Sequence, residues 1–431
     1  MKQSVVSIAK GTDAGKMVEE ALSLLGGVDS LIKPKSVVVL KPNAGHPCAP
    51  ETSVCTSPEF VAAVIQAIRK AQPREIILAE AAAIGCDTMD CFEVSGIGKA
   101  ARDAGIDGII DIKGEKDLIR FPIRDARSDL TRLRLPRFLV EADHIVNLPI
   151  FKSHSCMQFT CALKNIKGVV EDAVHYQMHQ TDLAAAMMDV WSVVKSDLTI
   201  ADLIRPAEGF GPHSTLPVDF GCVVAGKDPV AVDATACRMV GLDIDKVAYF
   251  HAARERGLGS FEENLIEIRG RTIEEVFKQL WLPYFGGFEQ WPEYHIHAEG
   301  ACSSCQGLLA HTLEWLKALG EYDKNSGISI VLGKTRELPK GVDPRNLIVM
   351  GDCVKKFRHE GVYAPGCPPV EAGPLWAILD RRTRVELQDY DFDARARHTE
   401  QSEIFHGYMV KMKQRFDEAQ KKDGKSKKGK S

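Results

Sequence analysis

The chain has 431 residues, of which 45% are hydrophobic and 26% are charged, and its formal net charge is −4. This length exceeds one ordinary core and predicts two domains with extensions. The net charge gives no electrostatic reason to expect a nucleic-acid partner. No uninterrupted run of about 18 apolar residues predicts a membrane span, and the N-terminus lacks the pattern of a signal peptide. We therefore expect a cytoplasmic globular protein.

Residues 1–280 alternate between patterns of buried strands and patterns of helices. The apolar, β-branched runs that predict strands are VVSIA, SVVVL, EIILAE, HIVNLPI, LTIADLI and CVVAG. Helical patterns lie between several of them: DAGKMVEEALSLL, SPEFVAAVIQAIRKA, DTMDCFEVSGIGKAARDAG, TDLAAAMMDVWSVVKS and PVAVDATACRMVG. This alternation predicts an α/β domain with a mainly parallel or mixed sheet and flanking helices. In such domains ligands bind beyond the carboxyl ends of the strands.

The rest of the chain divides into four predicted segments. Residues 281–297 have the composition of an aromatic-rich junction, and 298–383 form a smaller α/β, cysteine-rich unit. In that unit SSCQGLLAHTLEWLKALG and VEAGPLWAILDRR predict helices, and ISIVLG and LIVMG predict strands. Residues 384–420 are charged and partly helical, whereas 421–431, with six lysines, predict a disordered tail.

Four of the twelve cysteines predict a metal or cluster site in the smaller unit. They are Cys302 and Cys305 in a C-x-x-C turn, Cys353 in GDC after the strand LIVM, and Cys367 in PGCPP. A disulfide framework is not expected in a reducing compartment. A C-x-x-C turn lets two thiolates face one ion. Four converging cysteines hold either zinc or an iron–sulfur cluster.

The spacing of these cysteines favours a [4Fe-4S] cluster over zinc. Structural zinc sites usually use short ligand pairs, whereas thirteen residues separate Cys353 from Cys367. The flanking Pro365-Gly366 and Pro368-Pro369 would fix the direction of the Cys367 thiolate, and glycine lets the backbone approach a bulky cluster. The alternatives are zinc, a redox dithiol at the C-x-x-C, or four cysteines that do not converge.

Lysines and polar groups that follow strands predict an anion pocket in the first domain. The segment VNLPIFKSHSCMQFTCALKNIKGVV carries most of them, and VVVLKPN carries the others. Lysines in an apolar stretch suit a phosphate or carboxylate. We predict binding roles for Lys41, Asn43, Lys164, Asn165 and Lys167, and catalytic roles for Lys152 and His154.

Two acidic residues and two histidines offer a different chemistry. Asp202 lies in LTIADLI and Glu208 in the following turn, where they could bind a divalent cation or act as acid and base. His175 and His179 share a helix face and could bind a metal, although a half-buried pair is the plainer interpretation. The standard nucleotide, hydrolase and zinc-protease motifs are absent from the sequence.

Six stretches resemble, in order, the domain of unknown function 362 family, over about residues 36–260. They are VVLKPN, TSPEFVAAVI, VNLPIFKSH, TCALKNIKGVV, LTIADLI and VAGKDPVAVDATACRMVG. Members of that family often carry ferredoxin modules, so the resemblance implies an iron–sulfur cluster by analogy. The cysteines here depart from the bacterial ferredoxin run. PGCPP resembles the cluster loop of the small subunits of hydrogenases and respiratory complex I, over five residues only.

The leading hypothesis is an iron–sulfur redox enzyme or electron-transfer protein that acts on an anionic small molecule or cofactor. A ferredoxin or flavoprotein is then implied as electron donor or acceptor. The alternative is a non-redox metal-dependent enzyme or binding protein with a structural zinc site. A third possibility is a scaffold that delivers a cluster or metal to a client protein.

Overall fold

The computed structural model of the chain describes residues 3–155, 157–179, 182–282, 288–366, 369, 373–379 and 392–428. The chain divides into two compact units. One comprises Met1–Ser153 and Phe159–Leu282, and the other comprises His154–Gln158 and Pro283–Ser431. Of the helices described, none is long and apolar enough to cross a membrane.

Thirteen described strands precede residue 283, and eleven of them belong to one sheet. They are β1 (Ser4–Lys10), β2 (Val37–Pro42), β3 (Glu75–Glu80), β4 (Gly108–Asp111), β5 (Leu118–Pro122), β6 (Arg132–Pro136), β7 (His144–Leu148), β8 (Ile150–His154), β9 (Gln158–Thr160), β10 (Leu198–Phe210), β11 (Ser214–Pro217), β12 (Cys222–Gly226) and β13 (Ile266–Gly270). The main sheet has the order β13-β1-β12-β10-β7-β2-β3-β4, with β11 and β8 paired to β10 and β9 paired to β8. β5 and β6 form a separate antiparallel pair.

The main sheet is mixed, with a parallel half that brings its carboxyl ends to one edge. β10, β7, β2, β3 and β4 are parallel neighbours, whereas β12 runs antiparallel to both β10 and β1. Every residue of β2 is buried, as expected for a strand covered on both faces. The predicted α/β class, with a mixed sheet and flanking helices, is confirmed.

Twelve described helices accompany these strands. They are α1 (Ala14–Leu24), α2 (Val28–Leu31), α3 (Pro58–Arg69), α4 (Thr88–Val94), α5 (Ile97–Asp103), α6 (Arg137–Val140), α7 (Ala162–Asn165), α8 (Asp172–His179), α9 (Leu183–Val193), α10 (Pro229–Met239), α11 (Ala248–Glu255) and α12 (Ile273–Val276). The apolar faces of α1 and α3 pack on the sheet in one core, which includes Val18, Phe60, Val64, Leu40 and Leu78. This packing leaves the carboxyl edge of the sheet to polar residues.

The second unit contains a small, wholly parallel sheet. Its strands are β14 (His295–His297), β15 (Ser329–Leu332), β16 (Leu347–Met350) and β17 (Val362–Ala364), paired in that order. Its helices are α13 (Ser303–Ala318), α14 (Gly373–Leu379) and α15 (Phe392–Lys428). α15 extends to Lys428 and so enters the segment 421–431, for which the sequence predicts disorder. Lysine is a good helix former, which is compatible with this continuation.

Candidate functional site

A buried ion pair lies at the carboxyl ends of β2 and β3. Lys41 Nζ is 2.7 Å from Glu80 Oε1, and the two side chains are 1% and 2% exposed. Glu80 also accepts hydrogen bonds of 2.9 Å from the backbone N–H groups of Ala44 and Ala81. Burial lowers the pKa of Lys41 and raises the pKa of Glu80, while their mutual attraction opposes both shifts. Each of these two charges therefore has its counter-charge inside the protein.

Asn165, at the end of α7, connects this helix to two strands. Its side-chain amide donates to Lys41 O at 3.0 Å and to Asn147 Oδ1 at 2.8 Å. Its Oδ1 accepts a 3.0 Å hydrogen bond from Asn43 Nδ2. The structure thus brings three predicted binding residues together, Lys41, Asn43 and Asn165. With Glu80, Asn147 and Lys152 they form what we call the polar network.

Lys152, on β8, is the second buried ammonium of the polar network. Its side chain is 2% exposed, and its Nζ donates to Val54 O and to Asn43 Oδ1, the latter at 3.3 Å. Both acceptors are neutral oxygens. Among the residues that the structure describes, no carboxylate forms an ion pair with Lys152. Burial lowers the pKa of this lysine.

The turn after α7 carries Lys167 and contacts both predicted histidines of α8. Lys167 Nζ is 2.6 Å from His179 Nε2, and Lys167 O is 2.7 Å from His175 Nε2. Burial, reinforced by the Lys167 charge, lowers the pKa of His175 to about 3 and that of His179 to about 2. These neutral imidazoles therefore hold Lys167. Of the described residues, no group of three metal-ligating side chains includes them.

His46 adds a neutral imidazole beside the lysines. Its ring centroid is 4.0 Å from that of His213, with an interplanar angle of 76°, and its Nδ1 is 3.7 Å from Cys86 Sγ. Burial lowers the pKa of His46 to about 2, and the ring of His213 and three lysines act in the same direction: Lys152, Lys164 and Lys167. The electrostatic environment of this ring is therefore positive.

Asp233 of α10 fixes the N-terminus of α7. It is fully buried and accepts hydrogen bonds from Ala162 N at 2.6 Å and Leu163 N at 2.9 Å. Burial raises its pKa to about 7, against the effect of these two amides. A four-residue helix has no stability of its own, so Asp233 positions the segment that bears Lys164 and Asn165.

The structure does not bring Asp202 and Glu208 together. Asp202 accepts hydrogen bonds from Ser57 N and Ile204 N at 2.9 and 3.0 Å, and from the Ser57 hydroxyl. Glu208 accepts one from Trp281 N at 2.7 Å. The two are six residues apart on one strand, which corresponds to about 20 Å. Burial raises the pKa of Asp202. These hydrogen bonds connect Asp202 to the start of α3 and Glu208 to the backbone at Trp281.

His154 ends β8 and is 8% exposed. The division of the chain assigns it to the segment His154–Gln158 of the second unit. Its predicted catalytic role stays a prediction.

Three cysteine-bearing segments follow the carboxyl ends of strands in the parallel sheet of the second unit. Cys302 and Cys305 come after β14, at the start of α13, and Cys353 comes after β16. Cys302 and Cys353 are exposed, and Cys305 is buried. Cys367 directly follows Gly366, beyond β17, and lies outside the described residues. Carboxyl ends of parallel strands meet at one edge of a sheet.

Glycines allow the backbone around these segments to come close. A Cβ on Gly351 would be 3.5 Å from Cys305 Sγ and 3.5 Å from Gly366 O. Both glycines have positive φ, 91° and 121°, which side chains disfavour. Asp352 N donates to Gly366 O at 3.0 Å, and Gly366 N donates to Asp352 Oδ1 at 2.9 Å. The bends that precede Cys353 and Cys367 are thus joined, next to Cys305. Within the described part of the chain, no three ligating side chains are grouped as a metal site.

Much of the first unit matches a known protein family. Residues 38–238 match the family model described as domain of unknown function, DUF362. The chain contains a DUF362 domain. The domain spans β2 to α10 and includes the whole polar network together with Asp233. The resemblance that the six sequence stretches indicated is confirmed.

A relative of the DUF362-containing chain is the thylakoid-associated protein sll1697 of Synechocystis sp. The two are 26% identical over 260 residues, which is 57% of this chain and 77% of that protein. A Thermotoga maritima protein of known structure is 15% identical with a TM-score of 0.36; the match covers 53% of this chain and 60% of that one. The lactate racemase apoprotein of Thermoanaerobacterium thermosaccharolyticum is 12% identical with a TM-score of 0.39, over 88% and 81%. Such low TM-scores carry no functional argument.

Three residues of the site are not singled out by the sequence patterns: Glu80, Asn147 and His213. Glu80 ends a predicted strand and Asn147 lies near the end of another, so their placement at the carboxyl edge offered a signal. His213 reaches the site only through the tertiary fold, and no local pattern marks it.

Proposed function

We propose that the chain is an iron–sulfur redox protein with two sites. Its second unit would bind a [4Fe-4S] cluster through Cys302, Cys305, Cys353 and Cys367, and its DUF362 domain would bind an anionic small molecule or cofactor. The observation that carries the proposal is the approach of Cys305 Sγ to Gly351 and of Gly351 to Gly366. Three segments with ligand-type cysteines thereby have neighbouring positions on one sheet edge.

The donor set suits a cluster. Thiolates are the usual ligands of iron–sulfur clusters, and Cys302 and Cys353 are exposed whereas Cys305 is buried, as at the rim of a fold. Gly351 and Gly366 both have positive φ, and glycine allows the backbone to come close to a bulky group. A bound cluster would supply one-electron transfer, and the proposal therefore includes an external ferredoxin or flavoprotein as electron donor or acceptor.

The polar network supports the proposal that the first unit binds an anionic ligand. Lys152 places a buried ammonium there, and the charges of Lys164 and Lys167 act on the same neighbourhood, since both lower the pKa of His46. Positive charge next to neutral imidazole and amide donors favours a ligand with anionic oxygens.

Anaerobic purification with iron, sulfide and zinc analysis tests the proposal. We expect a brown protein with about four irons and four sulfides per chain, which bleaches in air. Cys353→Ser should lose most of the iron, whereas Cys91→Ser, a buried cysteine of the first unit, should retain it. One zinc without iron would contradict the redox assignment and favour the alternative of a structural zinc site.

A further inference from the structure

We propose that the polar network around Lys152 binds an oxyanion with at least two negative charges, a phosphoryl group or a polycarboxylate, whose charge neutralises the Lys152 ammonium. This inference rests on the anion-binding half of the proposed function and makes it specific. It does not depend on the cluster in the second unit.

The two buried lysines of the polar network differ in whether a carboxylate is bonded to the ammonium group. The ammonium of Lys41 is 2.7 Å from a carboxylate oxygen of Glu80. Lys152 is equally buried, but its hydrogen bonds go to Val54 O and Asn43 Oδ1. Burying a charge without a partner is among the most costly arrangements in a protein. A ligand that supplies the missing negative charge would remove that cost.

The thiols near Lys152 do not supply the counter-charge. Cys55 and Cys48 are the groups whose charges would act most on this lysine. Burial raises the pKa of Cys55 to about 11 and raises the pKa of Cys48. Both therefore stay protonated and neutral at physiological pH. Glu80 also acts on Lys152, but its carboxylate is already bonded to Lys41.

The surroundings indicate more than one negative charge on the ligand. The rings and lysines that act on His46 are all cationic or neutral: His213, Lys152, Lys164 and Lys167. A single carboxylate would balance the charge of Lys152 alone, whereas the charges of Lys164 and Lys167 also act on this neighbourhood. A phosphoryl group or a polycarboxylate carries two or more charges on several oxygens, and lysine is a common ligand of such groups. The neutral ring of His46 can donate one N–H to an oxygen of the same group.

The test measures ligand-dependent stability of the full chain, purified anaerobically, with its iron content recorded in the same samples. Inorganic phosphate, citrate and acetate are compared at equal ionic strength by thermal unfolding and calorimetric titration. A ligand that binds only the folded protein raises Tm with concentration. We expect Tm to rise with phosphate, with citrate or with both, but not with acetate. A response to phosphate alone identifies the phosphoryl group, and a response to citrate alone identifies the polycarboxylate.

Three lysine variants separate ligand binding from structural support. Lys152→Met should weaken binding of the responding anion at least tenfold while its ligand-free Tm stays near that of the wild type. Lys41→Met should lower the ligand-free Tm, because it leaves the Glu80 carboxylate buried without its partner. Lys99→Met, on an exposed helix surface, should leave both properties unchanged.

Two results would overturn the inference. One is an equal Tm response to acetate, phosphate and citrate in the wild type. The other is a ligand-free Tm of Lys152→Met as low as that of Lys41→Met, because Lys152 would then be a structural residue. Loss of iron with an intact anion response would instead refute only the cluster half of the proposed function.

Discussion

Gly168 shows how closely the polar network is packed at the level of single residues. Its Cα lies against the buried ion pair, so that an added Cβ would overlap Glu80 Oε1 and lie 2.7 Å from Lys41 Nζ. Its carbonyl oxygen accepts a 2.9 Å hydrogen bond from Ala81 N. The turn that carries Lys167 can therefore approach β3 only because residue 168 has no side chain.

Gly168→Ala should destabilise the first unit by about 1–3 kcal/mol, the usual cost of overpacking a buried site. The added methyl group must displace either the ion pair or the turn, and no flexible surface side chain can yield in their place. Urea unfolding at neutral pH measures the change. Gly45→Ala is the matched control, because a Cβ at residue 45 would meet no atom within 4 Å. Equal stabilities of the two variants would contradict the account.

At the scale of single residues, the sequence patterns singled out four of the six residues of the polar network. Lys41, Asn43, Lys152 and Asn165 lie together as their positions after strands suggested. Their bonding roles could not be predicted, because the partners are distant in sequence: Asn165 is 122 residues from Asn43. Only the folded chain distinguishes Lys41, which has Glu80, from Lys152, which has no such partner among the described residues.

At the scale of elements, the short helix α7 is held in position by the neighbouring helix α10. It has four residues, and its first two backbone amides donate to the carboxylate of Asp233 on α10. Both amides and the carboxylate are shielded from water, so that water cannot replace either partner. The position of Lys164 and Asn165 is thus determined by a helix about 70 residues further along the chain.

Asp233→Ala should cost about 1–3 kcal/mol for each amide that loses its acceptor. It should also weaken anion binding, because α7 carries two of the predicted binding residues. Asp13→Ala provides the comparison: Asp13 accepts from Lys16 N at an exposed N-cap of α1, and its loss should cost about 1 kcal/mol. Chemical unfolding of both variants gives the difference. A smaller loss for Asp233→Ala than for Asp13→Ala would contradict the positioning role.

Element patterns were predictable where they were long and regular. The strands β2, β3, β7 and β10 and the helices α1, α3, α9 and α10 follow their hydrophobic patterns, whereas the four-residue strand β4 was not predicted. The run HIVNLPI breaks into β7 and β8 at Pro149, where proline has no N–H for the ladder. The helical pattern after residue 87 divides at Gly96, whose φ is 75°. The three-residue strands β14 and β17 are too short to show any period.

Across the whole molecule, the first unit contains histidines that stay neutral in the folded state. The pKa of His175 is lowered to about 3 by burial, and the pKa of His179 and of His46 to about 2. In the unfolded chain histidine titrates near 6.5. The unfolded state therefore binds more protons than the folded state below that pH, and stability falls as the pH falls from about 6.5 toward 3.

His175 alone should reduce the unfolding free energy by about 1.4 kcal/mol for each pH unit below 6.5. His46 and His179, which are partly exposed, act in the same direction. Asp233, with a pKa raised to about 7, acts in the opposite direction, because its contribution is present at low pH and lost as the pH rises through 7. Urea unfolding at pH 7.5, 6.5 and 5.5 gives the slope, which His175→Asn should reduce. An unchanged slope in that variant would contradict the burial argument.

The proposed redox function of the chain requires that its four cysteines Cys302, Cys305, Cys353 and Cys367 meet at one cluster. Low-temperature EPR of the anaerobically purified, chemically reduced protein tests this most directly, with Cys367→Ser measured beside the wild type and Cys222→Ser as the buried-cysteine control. We predict the signal of a reduced [4Fe-4S] cluster in the wild type and in Cys222→Ser, and its loss in Cys367→Ser. A colourless wild-type protein without an EPR signal, containing one zinc ion or no metal, would contradict the central claim.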